Sequence, residues 1–210
     1  MKALSHIVMV LVVQLCSFSM VLGQGKFALS TTVAPMYRHF KSRNTIILPD
    51  NNGGTYTYID KSEGSWRGSW FGLNGQYSFS PKWSATTGLW YNKSRLISGN
   101  TEARSHNFSI PLMINFQSST RKLSPYFSVG SLWNLETTTH MYIDDIGPVV
   151  FKSGDKTFKI SPTVGAGVIY NFSKHFTVIA QPTFSYVIPP VGFNSRTYQL
   201  LFHVQLMYRF

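Results

Sequence analysis

Five histidines follow the first 23 residues, His39, His106, His140, His175 and His203, and with eight carboxylates they are the groups from which an acid–base or metal site would be built. Acyl transfer needs a nucleophile within reach of a base and a third group that orients the base. His106 and Ser109 are three residues apart, so on one strand they point to opposite faces. His203 stands on the polar side of an alternating segment with no carboxylate to orient it, and reads as a neutral polar filler. His140, Asp144 and Asp145 are close in sequence but lack the spacing of a calcium loop. No glycine-rich loop follows a strand and opens a helix, so no phosphate cradle is indicated. Cys16 is the only cysteine, and Leu15 before it is too large for a lipoprotein site. The residues therefore assign no catalytic group, no cofactor and no metal.

The elements that would hold such groups are strands. From Thr197 to Phe210 one side of the chain reads Tyr198, Leu200, Phe202, Val204, Leu206, Tyr208, Phe210, and the other includes Gln199, His203, Gln205 and Arg209. A strand has a side-chain period of two, so this is one apolar face with aromatics at both ends and one mixed polar face. Such a face suits lipid. At the other end, Met1-Lys2, an apolar run from Ala3 to Leu15 and Val21-Leu22-Gly23 predict a secretory signal over residues 1–23, cleaved before Gln24, which leaves a mature chain without thiols. The alternative is an uncleaved anchor over Ile7 to Leu22, weakened by Gln14, Cys16, Ser17 and Ser19.

Residues 24–210 make one domain, aromatic-rich at 15% and poor in charge at 13% over the whole chain. No later stretch reaches the length of a transmembrane helix, so a membrane reading requires a closed barrel. Alternation places eight spanning strands near 26–38, 67–80, 82–93, 106–117, 124–135, 158–171, 175–187 and 197–210. The fold class is all-β, an eight-stranded antiparallel up-and-down transmembrane barrel. Small and polar residues such as Ser30, Asn74, Thr86, Ser128 and Gln181 fall on the interior face, and eight strands leave no wide pore. Pro35, Pro111, Pro162 and Pro182 lie inside these strands, where bulges are expected to accommodate them.

Short connections alternate with long ones at 39–66, 94–105, 136–157 and 188–196. In barrels of this class the short turns face the periplasm. All eight carboxylates, Asp50, Asp60, Glu63, Glu102, Glu136, Asp144, Asp145 and Asp155, fall in the long outer connections, as the cost of charge in lipid requires. Thr45–Leu48 with Tyr56–Ile59, and Thr137–Ile143 with Val149–Phe151, flank turn clusters, so two hairpins should rise above the membrane. Their edges could recruit a protein partner strand, or stand as long hairpins without one. The net charge of +11 is spread over loops and rims rather than gathered on one face, which argues against nucleic acid. Arg38, Lys41, Arg43, Lys93, Arg95 and Arg104 stand near the outer rim, where lipopolysaccharide phosphates would lie.

Several segments in order carry a resemblance: Gly25-Lys26-Phe27, Ser80-Pro81-Lys82-Trp83-Ser84, Ile110-Pro111-Leu112, Ser124-Pro125-Tyr126-Phe127 and Gly165-Ala166-Gly167-Val168. Together they resemble the PorT-like outer-membrane β-barrel family over nearly the whole mature chain. The resemblance implies an eight-stranded barrel integral to a Gram-negative outer membrane, and a role in protein secretion for PorT-type members. The terminal alternation Phe202, Val204, Leu206, Tyr208, Phe210 resembles the signal read by the barrel-assembly machinery.

The function expected is that of a non-enzymatic outer-membrane barrel with a structural or surface-interaction role through its long hairpins. A secretion-accessory barrel, a lipid A-modifying enzyme, a narrow pore and a soluble lipocalin-like barrel are the alternatives. Expected partners are outer-membrane lipid and lipopolysaccharide, the assembly machinery and a protein at the outer hairpins.

Overall fold

Segments that alternate with period two, separated by turns too short for a crossover, can only pair with their neighbours as antiparallel hairpins. The computed structural model has this form and describes residues 26–49, 55–98, 101–143, 147–152, 158–189 and 194–210. The expected signal segment lies outside the described residues. Among them there is no helix, and nine strands follow in order: β1 (Phe27–Pro49), β2 (Thr55–Ser78), β3 (Trp83–Ser98), β4 (Thr101–Gln117), β5 (Leu123–Ile143), β6 (Gly147–Lys152), β7 (Lys159–Asn171), β8 (Phe176–Val187) and β9 (Ser195–Arg209). Every strand except β6 pairs with both neighbours, and β1 pairs with β9, so eight strands close a barrel. The short β6 pairs only with the upper part of β5, from Thr138↔Lys152 to Ile143↔Gly147.

The tight connections at 79–82, 118–122 and 172–175 lie where the alternation placed them. The long connections do not. Most of residues 39–66 and 94–105, and the first part of 136–157, are strand: β1 and β2 stay in register from Phe27↔Tyr77 up to Pro49↔Thr55, and β3 and β4 up to Ser98↔Thr101. Asp60, Glu63, Glu102 and Glu136 therefore sit on strands, beyond the spanning part. Alternation marks a lipid boundary and says nothing about where hydrogen bonding stops.

That boundary is visible in the aromatic side chains. Phe27 stacks on Phe210, Tyr208 meets Phe176, and Trp83 meets Phe116 around the short-turn end. At the other end Tyr91 meets Phe108, and Tyr198 meets Phe184. Tyr198 and Tyr208 are ten residues apart on β9, which at ~3.3 Å per residue and a tilt of about 40° separates the two belts by about 25 Å. This is the height of the apolar band of an outer-membrane barrel. Between the belts Leu73, Leu89, Val129, Val164 and Val204 are all exposed.

The four prolines are not accommodated by bulges. At Pro35 the β1–β9 ladder runs to Val33↔Val204 and resumes at Met36↔Leu201 in the same register. At Pro111 β3–β4 skips from Thr87↔Leu112 to Trp90↔Ser109, and at Pro182 β7–β8 skips from Gly165↔Thr183 to Val168↔Ala180. Pro162 lies just past the last β7–β8 pair, Thr163↔Ser185. Each proline keeps its pairing on the other side, opposite Ser69, Leu132, Phe202 and Ser131 respectively. Among the described pairings, the register shift is between His106 and Asn107, where Thr137 is left over on β5.

The interior holds more apolar bulk than the sequence reading expected. Ala34, Met36, Trp70, Trp90, Leu132 and Leu201 form one buried cluster in the outer half, and Ala28, Tyr126, Ile169, Ile179 and Met207 a second near the periplasmic end. Polar side chains between and around them bond to one another: Asn74 donates to Ser30 and to Thr32 at 2.6 Å and accepts from Trp90 Nε1 at 2.6 Å, while Ser128 donates to Asn115 at 2.8 Å. What space remains at mid-barrel, beside His203, Trp90 and Tyr126, is about 20 Å³, room for a single water.

Gly72 makes the packing of Trp90 possible. A Cβ at position 72 would stand 2.0 Å from Trp90 Cδ1, whereas one at Gly75, on the lipid side, would meet nothing nearer than Phe27 Cζ at 3.6 Å. Gly72→Val is therefore expected to lower the unfolding free energy in urea by about 1–3 kcal/mol, as overpacking does, and Gly75→Ala to leave it within ~0.5 kcal/mol.

Candidate functional site

Strands tie neighbouring side chains into rows, and one row above the outer aromatic belt is cationic. Arg67 on β2 is paired with Arg95 on β3, and Arg95 with Arg104 on β4. All three point outward and are exposed. They lie four residues beyond Phe71, Tyr91 and Phe108, which is about 10 Å above the ring level at ~3.3 Å per residue and a tilt near 40°. Lys93, halfway between, is exposed on the same face. Arg67, Ser69, Lys93, Arg95 and Arg104 line a depression of about 410 Å³.

Like charges directly opposite on neighbouring strands repel. One carboxylate relieves this row: Glu102 accepts from Arg95 Nη2 and from Arg104 Nε, each at 2.7 Å. The Arg104 and then the Arg95 hydrogen bond hold the Glu102 carboxyl below the usual range. Four cations face this single carboxylate, so the patch keeps positive charge that its own ion pairs do not cancel.

Of the six cations singled out from the sequence, the structure brings Lys93, Arg95 and Arg104 together. Lys41 and Arg43 also face outward but stand higher on β1, Lys41 3.2 Å from Glu63 and Arg43 opposite Lys61. Arg38 stands apart from them. Tyr37 takes the outward position, so Arg38 faces the barrel mouth and its Nε donates to Gln199 Oε1 at 3.0 Å. Arg67 was missed; the signal was its register with Arg95, which the sequence does not display. Phe202, Val204, Leu206, Tyr208 and Phe210 all face outward, 40–50% exposed.

Among the candidate acid–base groups, His203 is buried against Trp90, ring centroids 4.9 Å apart. His106 meets the Tyr91 hydroxyl at 2.5 Å, while Ser109 points inside and donates to Asn134. Asp144 and Asp145 lie outside the described residues. A trio that the sequence reading did not single out stands above the belt: Ser65 Oγ lies 3.2 Å from His39 Nδ1, and His39 Nε2 lies 3.4 Å from Glu63 Oε1. Register creates it, because His39 and Ser65 are directly opposed. Glu63 is shared with Lys41, and Ser65 Oγ also meets the Tyr37 hydroxyl at 2.9 Å; β1 is paired on both sides here, whereas β2 pairs with β3 only from Trp66 onward.

The model of the family described as outer membrane protein beta-barrel domain matches residues 37–210. Among solved structures, the chain is similar to Ail, the attachment invasion locus protein of Yersinia pestis, at 16% identity over 90% of this chain and 100% of that one, with a TM-score of 0.41. It is similar to OprG from Pseudomonas aeruginosa at 13% identity over 89% and 96%, TM-score 0.46. It is also similar to the outer membrane protease OmpT from Escherichia coli at 10% identity over 88% and 97%, TM-score 0.46. No curated protein matches the sequence.

Because Glu102 is held ionised by two arginines, its bridge is complete above the ordinary carboxylate pKa and is lost as pH falls through the lowered folded value. Carboxyl ¹³C NMR should show Glu102 titrating below an ordinary glutamate, and the double variant Arg95→Gln/Arg104→Gln should return it to the ordinary range. An unchanged midpoint in that variant would contradict the bridge.

Proposed function

The chain belongs to the outer membrane protein beta-barrel domain family, an integral protein of the cell outer membrane, and on that premise we propose that it acts without catalysis, as a surface element that engages lipopolysaccharide along its outer rim. The observation that carries the reading is the Arg67–Arg95–Arg104 row above the aromatic belt, with Lys93 beneath it. Aromatic belts mark the edge of the hydrocarbon. A row about 10 Å above it lies at the depth of lipid A phosphates, and guanidinium groups bind phosphate oxygens through paired hydrogen bonds. Residual positive charge on the patch matches a ligand that brings its own negative charge.

The hairpin β1–β2 and the pair β5–β6 extend beyond this row. They supply the protein-facing part of the role, through sheet edges that an extended segment can join. A PorT-type part in secretion would have to work through these hairpins or the periplasmic end, since side chains fill the lumen. The terminal residues Phe202 to Phe210 serve the assembly machinery in this reading.

A lipid A-modifying enzyme is the second reading, and the Ser65–His39–Glu63 trio is what favours it. Its serine already bonds to Tyr37 and its carboxylate is shared with Lys41, so the first reading is preferred.

One experiment addresses both. Arg67→Gln/Arg95→Gln/Arg104→Gln, folded as judged by its gel shift on boiling, should bind lipopolysaccharide at least about tenfold more weakly than wild type at low salt, since each charge-assisted bond contributes roughly 1.5–3 kcal/mol. Unchanged binding removes the reading. Acyl-chain release from lipid A that is abolished by Ser65→Ala would put the enzyme in its place.

A further inference from the structure

The two ends of the barrel carry different charge. Among the described residues every Asp and Glu, namely Asp60, Glu63, Glu102 and Glu136, lies toward the outer side, while the periplasmic end carries Lys26, Lys82, Arg121, Lys122, Lys174 and Arg209. Lipid does not explain this, because the turns at that end are in water and could hold carboxylates at no cost. Arg209 lies on the interior face: it is paired with Ala28 across the β1–β9 seam, two positions beyond the buried Met207.

The mouth at this end is a basin of about 420 Å³ whose lining includes Lys26, Lys82 and Arg209 with Gln76, Ser80 and Tyr126. Among the described residues no carboxylate pairs with any of the three cations. Gln76 Oε1 accepts from the Thr86 hydroxyl at 3.3 Å, which leaves its amide hydrogens for the basin. Ser80 Oγ accepts from the backbone N–H groups of Lys82 and Trp83, so its own hydrogen is available to donate. The deeper wall is closed by the second apolar cluster, with Tyr126 at the junction. The basin thus has cations and neutral donors in its walls, with a buried apolar cluster beyond Tyr126.

We propose that this periplasmic mouth is a binding site for a multiply charged phosphate-bearing anion. A lone carboxylate would answer one of the three cations. A diphosphate-type group brings charge for all three and has oxygens enough to accept from Gln76, Ser80 and the guanidinium together. Phosphate could come from a soluble molecule or from the headgroup of an inner-leaflet phospholipid. Phe79 and Trp83 also line the basin, but Arg209 and Gln76 flank Ala28 on the interior face, away from the headgroups that surround the barrel, so the ligand is a soluble one.

The test is calorimetric titration of the refolded full chain with inorganic pyrophosphate in neutral detergent micelles, in the Arg67→Gln/Arg95→Gln/Arg104→Gln background so that the outer row contributes nothing. Saturable one-to-one binding is expected, weakened at least about tenfold both by Arg209→Gln and by Lys26→Gln/Lys82→Gln. The second variant changes only exposed residues and carries the test if the first fails to fold. Equal binding in both variants, or none in the parent, overturns the proposal. Repeating the titration in phosphatidylcholine and phosphatidylglycerol nanodiscs separates the sources: retained binding in both supports a soluble ligand, and loss confined to phosphatidylglycerol would show headgroups filling the mouth and overturn it.

Discussion

Backbone hydrogen bonding in hydrocarbon is the constraint from which the rest of this structure follows. An N–H or C=O left unpaired in the bilayer costs several kcal/mol, so the sheet must close, and it closes by joining β1 to β9. The prolines show how strictly the rule is kept. A proline has no N–H to strand, so it removes one ladder bond and leaves at most its partner's acceptor unsatisfied. Pro35, Pro111 and Pro182 each interrupt one seam for two pairs, hold the other seam intact and leave the register unmoved. A one-residue slip of register would have moved a strand's apolar set to the opposite face. A short gap at constant register preserves both faces.

Closure also decides what the protein can do. Eight strands leave an interior that side chains fill, and here Trp70 and Trp90 occupy the outer half, edge to face at 5.9 Å, with Gly72 on β2 leaving room for Trp90. Chemistry is pushed to the two ends. At the outer end register sets arginine against arginine and a carboxylate bridges two of them. At the inner end cations line a cup that no carboxylate among the described residues matches. The two ends thus differ in charge.

Much of this was legible in the sequence. The strand count, the three tight turns, the exposed apolar faces and the outward set Phe202 to Phe210 follow from a period of two and from the expense of charge in lipid, which are local properties. Strand length above the membrane was not legible, since polar residues pair in water without an apolar signature; Arg43, Lys61 and Glu102 all lie on strands read as loops. Inward tryptophans escaped for a related reason: Trp70 and Trp90 are apolar on the side expected to be polar, and the small residues opposite them, Ala34 and Gly72, make room for them. Arg67 and the Ser65–His39 contact depend on which residue stands opposite which, a property of pairing across about thirty positions or of hairpin register that no single segment contains. Arg38 shows the reverse case, because one step of alternation from Tyr37 would have turned it inward.

The claim beneath the whole account is that the apolar face meets lipid while the polar face packs inside. Single cysteines at positions 199 to 206, in a Cys16→Ser background, can carry nitroxide labels in bilayers, and collisions with oxygen and with a water-soluble nickel complex then report the surroundings of each. Oxygen accessibility should peak at 200, 202, 204 and 206, with 201 and 203 shielded from both reagents. Maxima at 199, 201, 203 and 205, or high nickel accessibility along the face of Leu200, Phe202 and Val204, would contradict it.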